Sequence, residues 1–217
     1  MKDLILFDLD DTLIRGQSQK MLLNYLKEKK VITGYFYVRL LLAFVMYKLG
    51  LMRDPQKVMV YAYAFMKGMK VSEVETLLAP YIQTVLHECL NTVVVDKLKV
   101  HLMDGSEVVL VTNSADVLAK PLARALGITN VLATELEVKD EVFTGVILGK
   151  PVHGDEKVAR VSAYAEKRGL ILSNATFYSD HISDMPLFSA VRTRIVVNPK
   201  WFFEQKAKML GWTILKS

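Results

Sequence analysis

Two pairs of aspartates stand where apolar strands are predicted to end. Asp8 and Asp10 close the first apolar run of the chain, and Asp180 and Asp184 follow a later one. Carboxylates crowded in this way repel each other unless a cation is bound, so the first pair predicts a hard divalent ion such as Mg²⁺. Asp180 would complete this metal site with Asp8, and Asp184 would be an indirect ligand or would orient a lysine.

The first pair also has the residue types needed for covalent phosphoryl transfer. The carboxylate of Asp8 could attack phosphorus and form an acyl phosphate. Asp10 could donate a proton to the leaving alcohol and later activate a water molecule. Asp and Thr are also favoured in a turn between a strand and a helix, so Asp8-x-Asp10-x-Thr12 taken alone supports both interpretations.

Two further segments carry groups suited to binding phosphate. Thr112 and Asn113 follow a predicted strand and open a predicted helix, where a hydroxyl and backbone N–H groups form a natural phosphate cradle. The alternative there is a simple helix N-cap. Lys157, near the start of another predicted helix, would neutralise phosphate charge. Lys150 competes for this role, and we favour Lys157.

Alternating strand and helix patterns predict the fold that positions these groups. The first strand is predicted at residues 4–9. After residue 106 we predict strands at 107–112, 129–133, 175–179, 194–197 and 213–215, a hairpin over 136–148 that turns at Lys139-Asp140, and helices at 116–126, 154–168, near 184 and 199–210. Such repeated units imply an α/β fold with a parallel sheet covered by helices on both faces. Ligands bind at the carboxyl ends of such strands.

Residues 17–86 differ from the rest of the chain in pattern and charge. Met, Leu and Tyr recur there at helical spacings, which predicts three or four helices separated at Gly34, Gly50 and Asp54-Pro55. The segment holds ten Lys and Arg against four acids, while the whole chain has a net charge of +5. A basic face next to a reaction site would attract anionic substrates, and one on the outer surface would suit anionic lipid or nucleic acid. The remaining alternative is a helical face that is simply solvated. We expect no nucleic-acid partner.

The run from Val31 to Tyr47 is nearly all apolar or aromatic, with Arg39 as its one charge. It is shorter than the roughly 20 residues that span a bilayer, so we expect a buried or interfacial helix. We favour burial inside the protein, because an apolar helix is normally covered. The alternative is an exposed patch in peripheral contact with a membrane.

Composition bounds the class of protein. The 217 residues are 52% hydrophobic and 24% charged, which excludes intrinsic disorder. A single cysteine, Cys89, excludes a disulfide framework and suits the cytoplasm. Acids from Asp3 onward interrupt the first residues, so we expect no signal peptide.

The four motifs, in this order, resemble those of the haloacid dehalogenase superfamily of phosphohydrolases. They are Asp8-x-Asp10-x-Thr12, Thr112, Lys157 and Asp180-x-x-x-Asp184. The helical segment after the first motif and the Gly154-x-x-Lys157 context look most like the phosphoserine-phosphatase-like branch. The resemblance implies a Rossmann-like core at residues 1–14 and 89–217, with an inserted all-helical cap domain at 15–88 that closes over the site.

The resemblance also implies a role for each residue. Asp8 would be the nucleophile and Asp10 the general acid and base. Mg²⁺ would be held by Asp8, the backbone carbonyl of Asp10, and Asp180, while Thr112 and Lys157 would hold the phosphate. An acid at position 10 favours a phosphatase, because the family's dehalogenases and ion-pumping ATPases lack one there.

Departures from the branch pattern concern the substrate. Gln17 stands where phosphoserine phosphatases commonly place an acid that meets the substrate's ammonium group, so a substrate contact by Gln17 would be uncharged. Asp11 stands where many relatives have Gly. We expect a Mg²⁺-dependent phosphomonoesterase for a small organic phosphate, phosphoserine-like or an amino-alcohol phosphate such as histidinol phosphate. The alternatives are a lipid-phosphate phosphatase (phosphatidylglycerophosphate-like) at the membrane surface and an inactive phospho-ligand-binding regulator. No oligomeric state is predicted.

Overall fold

A mostly parallel sheet forms the centre of the computed structural model, which describes residues 2–48 and 55–217. Within these residues the strands are β1 (Leu4–Phe7), β2 (Glu107–Ala115), β3 (Asn130–Lys139), β4 (Val142–Leu148), β5 (Thr176–Ser179), β6 (Thr193–Val197) and β7 (Thr213–Leu215). Their order is β4-β3-β2-β1-β5-β6-β7, and β4 alone runs antiparallel to its neighbour. The predicted α/β fold is confirmed.

The helices fall into an inserted group and a flanking group. Between β1 and β2 lie α1 (Ser18–Glu28), α2 (Gly34–Lys48), α3 (Pro55–Tyr63), α4 (Val71–Glu88) and α5 (Thr92–Met103). After β2 come α6 (Asp116–Ala125), α7 (Asp155–Arg168), α8 (Met185–Ala190) and α9 (Trp201–Met209). Of these, α1 to α4 form the inserted helical cap. The helix breaks predicted at Gly50 and Asp54 lie outside the described residues.

The alternation of side chains in β1 shows how the sheet is covered. Leu4 and Leu6 belong to one buried cluster, and Ile5 and Phe7 to a second one, because successive side chains of a strand point to opposite faces. The first cluster continues into α7, α8 and α9, and the second into α5, α6 and the cap. A strand buried on both faces has no polar side, which explains the continuous apolar run in the sequence.

The cap joins the core through two adjacent connections. The backbone N–H of Arg15 donates to the carbonyl of Cys89 (2.6 Å), and the N–H of Asn91 donates to that of Leu13 (2.9 Å). The segments entering and leaving the cap therefore run antiparallel, side by side.

The β3–β4 hairpin makes a further backbone contact with the cap. The N–H of Gly68 donates to the carbonyl of Phe143 (2.9 Å), and the N–H of Phe143 donates to the carbonyl of Met69 (3.0 Å). Gly145 on β4 packs so closely on Lys67 that a Cβ at Gly145 would lie 3.2 Å from the Lys67 Cβ.

The predicted bounds of two strands were wrong, and one helix was missed. β3 is one strand over Asn130–Lys139, and the hairpin turns at Asp140 and Glu141, which both have positive φ as a two-residue turn of this kind requires. β2 continues past its predicted end at Thr112 to Ala115, while α6 begins at Asp116 as predicted. Helix α5 was not predicted, because its start is rich in β-branched residues with weak helix propensity.

The expectation that the apolar run at 31–47 is covered was also wrong for most of its described side chains. Leu40 is buried, but Tyr35 is 72% exposed, Leu42 is 56% exposed and Val45 is 51% exposed. No helix in the described part of the chain is long and apolar enough to cross a membrane.

Candidate active site

The predicted site residues follow neighbouring strands at one edge of the sheet. Asp8 comes directly after β1, and Asp180 directly after β5, which pairs with β1 in parallel. The N–H of Asp8 continues that pairing by donating to the carbonyl of Tyr178 (2.9 Å). Thr112 lies in β2, on the other side of β1. The topology therefore brings residues far apart in the sequence to the same carboxyl edge.

Lys157 forms a buried bridge between two carboxylates. Its Nζ donates to Oδ1 of Asp8 and to Oδ2 of Asp184, each at 2.8 Å, and the lysine is only 3% exposed. The hydroxyl of Ser179 donates to the same Asp184 oxygen (2.6 Å). Lys150, the competing candidate, is exposed. A buried cation costs free energy unless it is paired, so this arrangement fixes Lys157 beside Asp8.

The carboxylates at this edge carry more negative charge than Lys157 offsets. Burial, with Asp184 nearby, raises the pKa of Asp8 to about 7 even though Lys157 acts to lower it. Burial and the neighbouring Asp8, Asp11 and Asp184 raise the pKa of Asp180 to about 8. Such crowding is relieved when a cation binds between the carboxylates.

The donor chemistry at this edge fits a hard divalent cation. The predicted set is the two carboxylates of Asp8 and Asp180 with the backbone carbonyl of Asp10, all of them oxygen donors. Within the described residues no three His, Cys, Asp or Glu side chains form a cluster that could hold a metal by themselves. A cation with few protein ligands and several waters, as is usual for Mg²⁺, is compatible with that finding.

Asp10 has neutral hydrogen-bond donors. The backbone N–H of Ser18 donates to its Oδ1 (2.6 Å), and the hydroxyl of Ser114 donates to its Oδ2 (2.8 Å). The two serine hydroxyls are 2.7 Å apart. With the Ser114 proton on Asp10, the Ser114 oxygen is free to accept from the Ser18 hydroxyl. Burial raises the pKa of Asp10 against these hydrogen bonds.

This network joins the core to the cap. Ser114 lies on β2, whereas Ser18 is the first residue of α1, the first helix of the cap. The hydroxyl of Tyr81 on α4 donates to the carbonyl of Ser18 (2.6 Å). The carboxylate of Asp10 is thus held from β2 and from the inserted helices at once.

Thr112 and Asn113 lie on the last part of β2 and not at the start of a helix. The hydroxyl oxygen of Thr112 accepts from the N–H of Ser114 (3.1 Å), so its proton can be donated elsewhere. The side-chain oxygen of Asn113 is buried and has no hydrogen-bond partner in the described structure. Buried polar atoms without partners carry a free-energy cost, which a bound ligand can remove.

Gln17 and Asp11 lie at the entrance to the cap. Gln17 is exposed and directly precedes Ser18. Asp11 has a φ of 52°, a left-handed conformation that favours glycine and that Asp tolerates better than most residues. Its carboxylate accepts from the N–H of Gly16 (2.8 Å), which stabilises this turn.

Ser18, Ser114 and Ser179 were not predicted as site residues. Ser18 and Ser114 are 96 residues apart, and neither lies in a pattern that distinguishes it from other serines. Ser179 directly precedes Asp180, and its residue type alone does not mark it as a partner of Asp184. Only the folded topology brings Ser18 and Ser114 to Asp10, and Ser179 to Asp184.

The comparisons with known proteins agree with this geometry. The model of one family, described as haloacid dehalogenase-like hydrolase, matches residues 5–189. The phosphoserine phosphatase SerB1 of Mycobacterium tuberculosis is 30% identical over 211 residues, which are 96% of this chain and 68% of that protein. A histidinol-phosphatase of Neisseria meningitidis is 32% identical over 111 residues, which are 49% of this chain and 50% of that protein.

Several solved structures match along nearly the whole chain, and one of them is similar throughout. It is a protein of unknown function from Bordetella pertussis, with a TM-score of 0.91 and 27% identity. The match covers 99% of this chain and 98% of that one. The likeness therefore includes the cap as well as the sheet.

Proposed function

Since the chain belongs to the haloacid dehalogenase-like hydrolase family and is a phosphatase of that family, we propose that it hydrolyses a small organic phosphomonoester through an aspartyl phosphate on Asp8. The observation that carries the proposal is the buried ion pair of Asp8 with Lys157, beside an Asp10 that is bonded to neutral donors. Two carboxylates in such different surroundings suit two different roles.

In the first half of the reaction a carboxylate oxygen of Asp8 attacks phosphorus. The bond from phosphorus to the ester oxygen breaks, and the leaving oxygen takes a proton from the carboxyl group of Asp10. Lys157 and the hydroxyl of Thr112 stabilise the charge on the phosphoryl oxygens. The products are the free alcohol and the phosphorylated Asp8.

In the second half water releases the phosphoryl group. Asp10, now ionised, takes a proton from a water molecule, whose oxygen attacks phosphorus. The bond between phosphorus and Asp8 breaks, inorganic phosphate leaves, and both carboxyl groups return to their starting states. The raised pKa of Asp10 favours its protonated form at the start of the cycle.

Mg²⁺ is the proposed cofactor. Asp8, Asp180 and the carbonyl of Asp10 would hold it, with Asp184 acting indirectly through Lys157. When bound, the ion supplies positive charge to the phosphoryl oxygens.

The cap, with proposed bounds 15–88, would select the substrate. Gln17, which directly precedes Ser18, has a neutral side chain. An amino-alcohol phosphate would therefore lack an ion pair with this residue. The relatives named phosphoserine phosphatase and histidinol-phosphatase support substrates of this size.

The test is a panel of phosphate esters, including phosphoserine and histidinol phosphate, assayed with Mg²⁺ and with excess chelator. We expect hydrolysis of at least one small ester, its loss in chelator, and its loss in Asp8→Asn. Hydrolysis that is equally fast without divalent ions would contradict the metal assignment. Tight binding of phosphate esters with no turnover would favour the inactive regulator.

A second candidate activity is favoured by the exposed apolar side chains of α2. A phosphatase that acts on a lipid phosphate similar to phosphatidylglycerophosphate needs a surface that contacts the membrane. Including a lipid phosphate in mixed micelles in the same panel separates the two candidates. If the lipid phosphate is hydrolysed in preference to every soluble ester, the lipid phosphatase becomes the leading proposal.

A further inference from the structure

The outward face of α2 is apolar, where a surface helix normally carries polar residues. Six of its large apolar side chains are at least 36% exposed, namely Tyr35, Val38, Leu41, Leu42, Val45 and Met46. At about 100° per residue these positions share one continuous arc of the helix. Phe36 and Leu40 lie on the opposite arc and pack against the buried cluster.

The sequence around α2 is rich in cations, and the nearest acids are Glu28 and Asp54. Residues 29–53 contain five Lys and Arg and no Asp or Glu. Lys29 and Lys30 are exposed just after α1. Arg39 on α2 places its guanidinium 5.4 Å from the ring centroid of Tyr35, one of the exposed side chains.

We infer that the outward face of α2 is a docking surface for an anionic phospholipid membrane. Apolar side chains would enter the boundary of the acyl chains, while the cations meet the phosphate headgroups. α2 has 15 residues and none of the described helices can span a bilayer, so it would lie in the plane of the interface. A second copy of the chain is a poorer occupant, because a symmetric contact would bring the same cations face to face.

Docking does not depend on the substrate. A soluble ester and a lipid phosphate would both be hydrolysed by the same site, so the inference goes beyond the proposed function. Vesicle binding is measured without turnover, and its outcome is therefore separate from that of the phosphatase assay.

The test is cosedimentation of the full chain with vesicles of phosphatidylcholine alone and of equal parts phosphatidylcholine and phosphatidylglycerol. We expect binding to the anionic vesicles to be at least about tenfold tighter than to the neutral ones. Leu42→Ser with Val45→Ser should weaken binding to the anionic vesicles by about tenfold or more, because both side chains would lose their burial in lipid. Lys29→Gln with Lys30→Gln should weaken it by about tenfold at low salt.

The matched control is Val100→Ser with Met103→Ser. These two side chains are also exposed, 46% and 79%, but they lie on α5 just before the amino end of β2, away from the cap. The control pair should bind vesicles as the wild type does, and circular dichroism checks that each variant keeps its helices.

Three results would overturn the inference. The first is a wild type that does not sediment with the anionic vesicles. The second is that Leu42→Ser with Val45→Ser weakens vesicle binding no more than the control pair on α5 does. The third is a wild-type dimer in light scattering that Leu42→Ser with Val45→Ser converts to a monomer, which would assign the face to a second copy.

Discussion

Asp8 and Asp10 are two residues apart, yet their hydrogen-bond partners differ in charge. Asp8 is paired with the ammonium of Lys157, and Asp10 accepts from a serine hydroxyl and a backbone N–H. Lys157 acts to keep Asp8 ionised against burial, which raises its pKa, whereas Asp10 is buried among donors that carry no charge. We propose that this difference in partners, and not the sequence spacing, separates the two roles.

The hydrogen bond from Ser114 to Asp10 leads to a prediction about leaving groups. Ser114→Ala removes the donor to Oδ2 and leaves Asp10 less well oriented for proton transfer. We expect kcat for alkyl phosphates to fall by about tenfold or more, and that for aryl phosphates by much less, because aryl leaving groups need little protonation.

The measurement is kcat over a series of esters with graded leaving-group pKa. Ser183→Ala, which removes a hydroxyl bonded to His181 on the nearby loop, is the matched control. An equal fall for alkyl and aryl esters would show that Ser114 only supports the fold.

Gln17 leads to a prediction about the substrate's charge. Gln17→Glu adds an anion beside the site. The new carboxylate would pair with an ammonium group of a substrate and would repel a substrate that carries more negative charge. We expect the KM for phosphoserine or another amino-alcohol phosphate to fall several-fold relative to a phosphate ester without an amine. Gln83→Glu, an exposed position on α4, makes the same charge change elsewhere in the cap. If both variants shift KM alike, Gln17 does not contact the substrate.

At the scale of elements, the contact between the β3–β4 hairpin and the cap can be tested at one glycine. Gly145 has a φ of 81°, and a Cβ there would meet the Cβ of Lys67 at 3.2 Å. Gly145→Ala should therefore lower the free energy of unfolding by about 1 kcal/mol because of the backbone conformation. The crowded contact with Lys67 should lower it further.

Gly105→Ala isolates the second effect. Gly105 also has positive φ, 71°, but nothing lies within 4 Å of a Cβ built on it. Urea unfolding of both variants measures the difference. If Gly145→Ala is no more destabilising than Gly105→Ala, the hairpin adapts to the cap at no cost.

The sheet and the strand-end residues could be predicted because they rest on local patterns. An apolar run followed by an acid is visible in the sequence at Asp8 and again at Asp180, and parallel topology then requires these ends to meet. Lys157 was predicted for the same reason, as a cation near a helix start. The sequence left open two lysines, Lys157 and Lys150, and two roles for Asp184, and the structure pairs Lys157 with Asp184.

The contacts of the cap could not be predicted in the same way. Ser18 and Ser114 meet only because the cap folds back over β2, and no periodicity encodes that approach. The exposure of α2 was missed because a helix that is apolar on every side gives no pattern to separate its inner face from its outer one.

At the scale of the whole molecule, the raised carboxyl pKa values make stability depend on pH. The folded pKa is about 7 for Asp8 and about 8 for Asp180, against 3.8 for an unperturbed aspartate. Between these values the folded chain binds more protons than the unfolded chain, so the free energy of unfolding falls as pH rises.

We therefore expect the metal-free protein to have a lower Tm at about pH 8 than at about pH 5, and Mg²⁺ to recover much of the loss. Thermal unfolding in chelator and in Mg²⁺ measures both effects. A Tm in chelator that is flat or rises over this interval would mean that the carboxylates are not crowded as described.

We propose above all that Asp8 becomes phosphorylated during turnover. The direct measurement is to quench the enzyme in acid while it hydrolyses a good substrate, reduce it with borohydride, and map its peptides by mass spectrometry. Because borohydride reduces an acyl phosphate to an alcohol, we expect a reduced side chain at position 8, absent without substrate and absent in Asp8→Asn. Active turnover with an unmodified Asp8, together with substantial hydrolysis by Asp8→Asn, would contradict it.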